Sequence, residues 1–355
     1  MSRDLSVPVG AVTLKNPVIC GSGEHLIEAA GIESALAAGA GAVMVKSTNE
    51  SEAARAQLDL TDYALLDSHW RRLPWNFAPP RDSHLFCRSG LTPQPFDQWL
   101  DMAARLDRAA RDRDAYVIAS IIPADLAVAV DLVRQVDQAG LRIIEVNIGA
   151  PHGGEAKAGA ITLERAAARV EDMTRAVRAA TQRPLWIKLT GQSEDVAALA
   201  AAARQGGADA VTIMGRFMAF LPDVETLAPL LGTAAAFGGP WALPLTCRWL
   251  ALSRKQVGPG FPLLATNGAR DGLDVARFLL AGATAVQMTS AVFAGGFGVV
   301  RDTLDGLAHF LDGKGLDARS LIGVAADRLQ SYAQQESRPG YWRRFVPPGS
   351  LDEPR

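Results

Sequence analysis

Residues 205–214 read QGGADAVTIM, the end of an Ala-rich helical pattern followed at once by a short apolar, β-branched run. Glycine after the last helical turn supplies the left-handed C-cap that lets a helix reverse into the next strand. The same joint recurs at 37–43 (AAGAGAV), 138–144 (QAGLRII) and 280–286 (LAGATAV). Working outward from these joints gives eight candidate strands, at 17–21, 41–46, 116–121, 142–147, 185–190, 209–214, 262–266 and 284–288. Runs this short and apolar on both faces suit parallel strands buried between other layers. Amphipathic stretches near 25–39, 96–113, 124–139, 163–182, 193–206, 243–257 and 271–281 separate them. The pattern predicts an α/β protein with a closed (β/α)8 TIM barrel, an open doubly wound sheet being the alternative.

With 355 residues the chain is long for one domain, but barrels of this class reach such sizes as single domains. The expected organisation is one barrel over 1–335 and an extended C-terminal arm over 336–355. Two segments, 48–95 and 215–242, are too long to be simple connections and leave from strand carboxyl ends. Barrel enzymes build their sites there, so these insertions are expected to be lids or substrate walls.

A net charge of −2 gives no electrostatic reason to expect nucleic acid or an anionic membrane as partner. No apolar run approaches the ~20 residues that span a bilayer, and the N-terminus MSRDLSVPVG lacks the apolar core of a signal peptide. A cytoplasmic location is the expectation. Cys20, Cys87 and Cys247 are far apart and form no C-x-x-C pair, which argues against a zinc site, a disulfide framework or an iron–sulfur cluster. No metal is expected, and Cys20, inside an apolar run, reads as a buried thiol.

The chemistry-bearing residues gather at strand ends. Lysine is scarce, six against thirty arginines, yet Lys46 and Lys188 each end an apolar strand, in VMVKST and LWIKLT. A cation there is costly unless it is paired or functional. One such lysine could snorkel at the barrel rim; two in equivalent places point to an anionic or electron-rich ligand above the barrel. Asn147 ends the fourth strand and offers a donor and an acceptor to a planar ring. After the seventh and eighth strands come ATNGARDG and QMTSAV, in the two loops where barrels often bind phosphate. Gly268 would allow close backbone approach, and Thr289 and Ser290 supply hydroxyls, though each is also an ordinary turn residue.

The strings NPVICGSG, GAGAVMVKST, EVNIGAPHGG, IKLT, GGADAVT, LLATNGARDG and AVQMTSAV occur in that order across 16–300. Together they resemble the dihydroorotate dehydrogenase family and the similar flavin barrel of dihydropyrimidine dehydrogenases. The resemblance implies flavin mononucleotide (FMN), with Ser22 and Gly23 near the ring and Lys46 and Ser47 at its polar edge. It places Asn147 beside the substrate and Lys188 near the flavin N1 region, where a cation stabilises negative charge. The phosphate falls to Asn267, Gly268, Thr289 and Ser290.

The departures from that family bear on the substrate. The comparable substrate-binding segment after the second strand is SHWRRLPWN, with His69 where an Asn is expected. The family's Asn-x-Ser-Cys-Pro-Asn/His string is here Asn147-Ile-Gly-Ala-Pro151-His152, and after the sixth strand Thr212-Ile-Met-Gly215 lacks the family's Asn. The loop after the fourth strand, which normally carries a Cys or Ser base, reads GGEAKAGAITLER, and Thr162 is its nearest hydroxyl. His69, His84 and His152 are the imidazole candidates for proton transfer, each with a plain loop role as the alternative. His25 could cap the first helix, and Arg71, Arg72 and Arg81 could clamp a carboxylate or simply face solvent.

The expected catalytic set is therefore Thr162, His152, Asn147 and His69. The expected activity is an FMN-dependent oxidoreductase passing hydride between flavin N5 and a C–C or C–N unit of a small, non-pyrimidine substrate. A flavin-dependent isomerase or lyase, and a non-catalytic flavin-binding subunit of a larger redox complex, remain as alternatives. A homodimer or higher homo-oligomer is expected, with an electron-transfer partner left open.

Overall fold

The computed structural model describes residues 4–150 and 164–351. Eight parallel strands close into one barrel: β1 (Val18–Cys20), β2 (Ala42–Met44), β3 (Tyr116–Ile121), β4 (Ile144–Asn147), β5 (Leu185–Lys188), β6 (Ala210–Ile213), β7 (Leu263–Thr266) and β8 (Ala285–Met288). All eight lie where the helix-to-strand joints predict, and closure runs through β8 pairing with β1, Gln287 opposite Ile19. The open-sheet alternative is excluded. Strands such as β1, β2 and β6 are buried along their whole length, as helices outside and side chains inside require.

Helices α1 (Ala29–Ala37), α2 (Phe96–Ala110), α3 (Leu126–Gln138), α4 (Ala167–Arg178), α5 (Val196–Gln205), α6 (Leu243–Val257) and α7 (Gly272–Leu280) form the outer ring. Three of them start on an aspartate that accepts backbone N–H groups: Asp125, Asp195 and Asp271. Two further helices, α8 (Ser290–Gly295) and α9 (Gly298–Lys314), were not anticipated. The run FAGGFG at 293–298 reads as a loop, but burial of Val300, Leu307 and Leu311 against the barrel makes α9 helical. An antiparallel pair, Val7–Val9 with Val12–Leu14, adds Val7, Val9 and Leu14 to the core.

The two insertions meet. Strands Asp62–Leu66, Arg72–Leu73 and His84–Arg88 from the first join Phe217–Ala219 and Ala235–Gly238 from the second in one five-stranded antiparallel sheet. Its cross-insertion seam pairs Phe237 with Phe86 and Ala236 with Cys87. Leu66, Phe86, Leu231 and Ala235 give this roof a small core of its own. Beyond the turn Ala326–Arg328 nearly every described residue is exposed, and the expected arm is the far part of that tail. No helix among the described residues is long and apolar enough to cross a membrane.

Candidate active site

One cleft lies between the barrel's carboxyl ends and the roof, and all eight strand ends contribute to it. In strand order they bring Ser22, Lys46 with Ser47, Ser120, Asn147, Lys188, Arg216, Gly268 and Thr289 with Ser290. The roof adds Ser89, Gly90 and Leu91. Parallel strands carry their carboxyl ends to one face, so residues remote in sequence converge there without any local signal.

A row of hydroxyls crosses the first three strands. Ser22 Oγ accepts the Ser47 N–H at 3.0 Å and lies 3.1 Å from Ser47 Oγ, which is 2.8 Å from Ser120 Oγ. The lysines are both paired. Lys46 Nζ lies 3.2 Å from Glu24 Oε1, and its backbone carbonyl accepts the Trp99 indole N–H at 2.9 Å. Lys188 Nζ donates to Gln287 Oε1 at 2.8 Å and lies 3.9 Å from Glu145 Oε1. Glu145 is fully buried inside the barrel, where Oε2 accepts from Thr212 Oγ1 at 2.7 Å and from Gln287 Nε2.

Burial pulls both ammonium groups below the usual lysine value, while Glu24 and Glu145 respectively push the other way. Burial also pushes the Glu24 carboxyl up, but Lys46 first, then Tyr63 and Arg216, outweigh it and hold it at about 2. Lys46 and Lys188 are therefore not snorkelling rim residues. Lys46 and Glu145 are buried, Lys188 and Glu24 largely so, and each ammonium group lines the cleft with a carboxylate behind it.

Asn147 lines the cleft with its Oδ1 accepting the Gly149 N–H at 3.0 Å, which leaves Nδ2 as the directed donor. Asn267 is committed differently. Its Oδ1 accepts from Gly239 N and its Nδ2 donates to Gly215 O, so its side chain braces the β6 and β7 loops and the second insertion. Gly23 sits behind Ser22, where a Cβ would lie 2.6 Å from the His25 ring.

The histidine expectations need correction. His69 is exposed on the tip joining two roof strands, where its N–H bonds to Asp67, and it does not line the cleft. The cleft-facing part of that insertion is Ser89-Gly90-Leu91, because the roof strand His84–Arg88 runs down onto the barrel mouth. His84 belongs to the roof, packed between Trp70 and Phe237 rather than facing the cleft. Arg71 is 75% exposed and bound to Asp67, Arg72 donates to the Leu230 carbonyl, and Arg81 pairs with Asp271. None of these three clamps a ligand in the cleft. His152 and Thr162 lie outside the described residues, but the Glu164 N–H donates to Ile148 O at 3.1 Å. Ile148 and Glu164, on either side of the residues not described, are thus joined at the end of β4.

His25 caps no helix. Its ring lies between Phe293 and Phe297, with Nε2 3.6 Å from Cys20 Sγ. Burial brings its pKa down to about 4, with Glu24 pulling up and Lys46 down. The folded state holds the ring neutral where the unfolded chain binds a proton near ~6.5. The stability it contributes is complete above pH 6.5 and lost as pH falls towards 4. Melting curves across that window are expected to fall more steeply for the wild type than for His25→Gln. Equal slopes would refute the assignment.

Sequence reading missed Glu24, Ser120, Glu145, Arg216 and Gln287. Glu145 and Gln287 do carry a signal, since each is a polar residue flanked on both sides by apolar ones inside a strand, IEVN and AVQM. Among the described residues no cluster of His, Cys, Asp or Glu could hold a metal ion.

The residues present fit FMN. A Cβ on Gly21 would lie 2.3 Å from Thr289 Oγ1, so β1 and β8 approach closely at that end of the cleft. Gly268 has φ +135° and would place a Cβ 2.7 Å from Leu243 Cα, so glycine alone keeps this backbone against the start of α6. Thr289 and Ser290 open α8, whose first amides have no intrahelical partners. Amides and hydroxyls at this end suit a phosphate, and the two lysines at the other suit an electron-rich ring.

Residues 74–311 match the family model described as dihydroorotate dehydrogenase. The chain is similar to "Dihydroorotate dehydrogenase B (NAD(+)), catalytic subunit" of Methanocella arvoryzae, 29% identical over 327 residues, 89% of this chain and 96% of the relative. It is 30% identical to the protein of the same name in Pyrococcus horikoshii over 183 residues, 51% of this chain and 59% of the relative. "Dihydroorotate dehydrogenase A (fumarate)" of Lacticaseibacillus paracasei is 33% identical over 180 residues, 50% of this chain and 60% of the relative.

Proposed function

The chain belongs to the dihydroorotate dehydrogenase family, whose members are FMN-dependent oxidoreductases acting on CH–CH groups, and from that premise we propose how its own cleft is used. The reaction is oxidation or reduction of a C–C unit of a small substrate, for which FMN would supply the hydride partner. The single observation that carries this reading is the pair of largely buried lysines at the ends of β2 and β5, each backed by a carboxylate. That arrangement holds fixed positive charge at the cleft floor without ligand.

When bound, FMN supplies the two-electron acceptor or donor. Ser22, Lys46, Ser47 and Lys188 would border its ring, and Gly268, Thr289 and Ser290, with the Asn267 backbone, would hold its phosphate. Asn147 Nδ2 would donate to a substrate oxygen, fixing the reacting carbon. Thr162 or His152, which follow β4 in the sequence, would move the proton.

The relatives' names carry dihydroorotate, and we propose that this chain takes a different, non-pyrimidine substrate. A dihydropyrimidine ring alternates N–H donors with carbonyl acceptors and calls for carboxamides to read it. Among the described residues the cleft has four, of which Asn267 and Gln287 are used on both atoms and Asn147 has its oxygen engaged, leaving Gln57 and the Asn147 Nδ2 to read such a ring.

Protein purified with FMN is expected to be yellow, to retain the flavin on desalting, and to resist anaerobic bleaching by dihydroorotate. A colourless protein that stays so after FMN is added would refute the cofactor reading. Rapid bleaching by dihydroorotate would refute the substrate reading and leave the cofactor reading intact.

A further inference from the structure

We infer that Arg216 is a substrate-binding residue, and that the group it receives is a carboxylate. The inference rests on the flavin reading above and adds the substrate's chemical class.

Arg216 follows the end of β6, lines the cleft and is half-buried. Both insertions grip it. Its Nη1–H donates to Cys87 Sγ, its Nη2–H donates to Ser89 Oγ at 2.8 Å, and a Cβ on Gly238 would lie 3.2 Å from its Cγ. Cys87 and Gly238 are buried residues of the roof sheet, so the side chain that leaves the end of β6 is anchored on the roof.

What it lacks is a counter-ion. Lys46 has Glu24 and Lys188 has Glu145, but among the described residues no carboxylate lies within ion-pair distance of Arg216. Its charge also works against its neighbours, since Arg216 pulls both Lys46 and Lys188 further down. Counting the two lysine–glutamate pairs as neutral, Arg216 leaves one uncompensated positive charge in a partly desolvated cleft. Such a charge is unfavourable by itself and is relieved by an anion.

A guanidinium with two of its five N–H groups engaged still offers three in a planar fork, which matches a planar oxyanion such as a carboxylate. The phosphate of the cofactor is the other anion to consider. Glu24, Lys46 and Lys188, past the ends of β1, β2 and β5, all feel Arg216, and although β6 neighbours the phosphate-side strand β7, the guanidinium is fixed to Cys87 and Ser89 of the roof. That position favours the substrate.

The test uses the FMN-loaded protein and Arg216→Met, with Arg216→Lys as the charge-keeping control. Orotate, benzoate and uracil are titrated separately while the flavin absorption spectrum is followed. Orotate and uracil share a ring and differ in the carboxylate, and benzoate carries a carboxylate without the pyrimidine. Orotate and benzoate are expected to perturb the wild-type spectrum and to bind Arg216→Met at least about tenfold more weakly, with Arg216→Lys between. Uracil is expected to respond equally in all three proteins. Unchanged carboxylate binding in a yellow Arg216→Met would overturn the inference, as would millimolar orotate and benzoate both leaving the wild-type spectrum unmoved. Loss of FMN from Arg216→Met would overturn it in favour of a cofactor contact. A wild type that holds no flavin would instead refute the reading beneath it.

Discussion

Replacing Lys46 with methionine is expected to lower the unfolding free energy by about 3–5 kcal/mol at neutral pH. The Lys46 and Glu24 side chains are only 6% and 17% exposed, and methionine keeps the apolar stem while deleting the cation. Glu24 is then left charged in the cleft wall, and burial, now less opposed, drives its carboxyl up from about 2. In the wild type the folded carboxyl titrates below its unfolded value, so the pair's contribution is complete above about 4.5 and lost as pH falls towards 2. The deficit of Lys46→Met is therefore expected to shrink on acidification. Urea unfolding at fixed FMN concentration reads it, and adding Glu24→Gln to Lys46→Met is expected to restore most of the loss. A cost below about 1 kcal/mol at neutral pH would show that the pair is not the buried couple described.

A single methyl group at Gly149 is expected to cost roughly 3 kcal/mol and to disturb the cleft. A Cβ there would lie 2.3 Å from Thr190 N and 2.4 Å from Leu189 C, both backbone atoms at the end of β5 that no rotamer change can move. Relief requires the β4 loop to lift, which breaks the 3.0 Å bond from Gly149 N–H to Asn147 Oδ1 and releases the carboxamide from its directed position. Gly149→Ala is thus expected to be less stable and also to bind cleft ligands more weakly than its loss of folded population explains. A Gly149→Ala protein with wild-type melting and wild-type carboxylate titrations would contradict the packing. An alanine at Gly313, where nothing lies within 4 Å, is the matched control in a helix.

The family model spans residues 74–311 and so takes in the roof strand His84–Arg88, the seat of Arg216 and the phosphate loops. Arg216, bonded to Cys87 and Ser89, sits where the two insertions touch the barrel.

The barrel was legible in the amino-acid sequence because its signals are local. A glycine-capped helix end followed by a short doubly apolar run is set by backbone sterics and burial within some ten residues, and four such joints among eight apolar runs leave few topologies. Lys46, Asn147, Lys188, Gly268 and Thr289 were legible for the same reason, since residues at a strand's end or one or two places beyond it reach the common carboxyl end. Tertiary structure alone decided the rest. Nothing in 48–95 announces that His84–Arg88 pairs with Ala235–Gly238, about 150 residues on, so the wrong part of that insertion was expected over the cleft and His69 with it. Nothing local separates Arg216 from the other arginines either. Which carboxylates neutralise Lys46 and Lys188, and which cation is left without one, follows from distances across the barrel, and those exist only once it has closed.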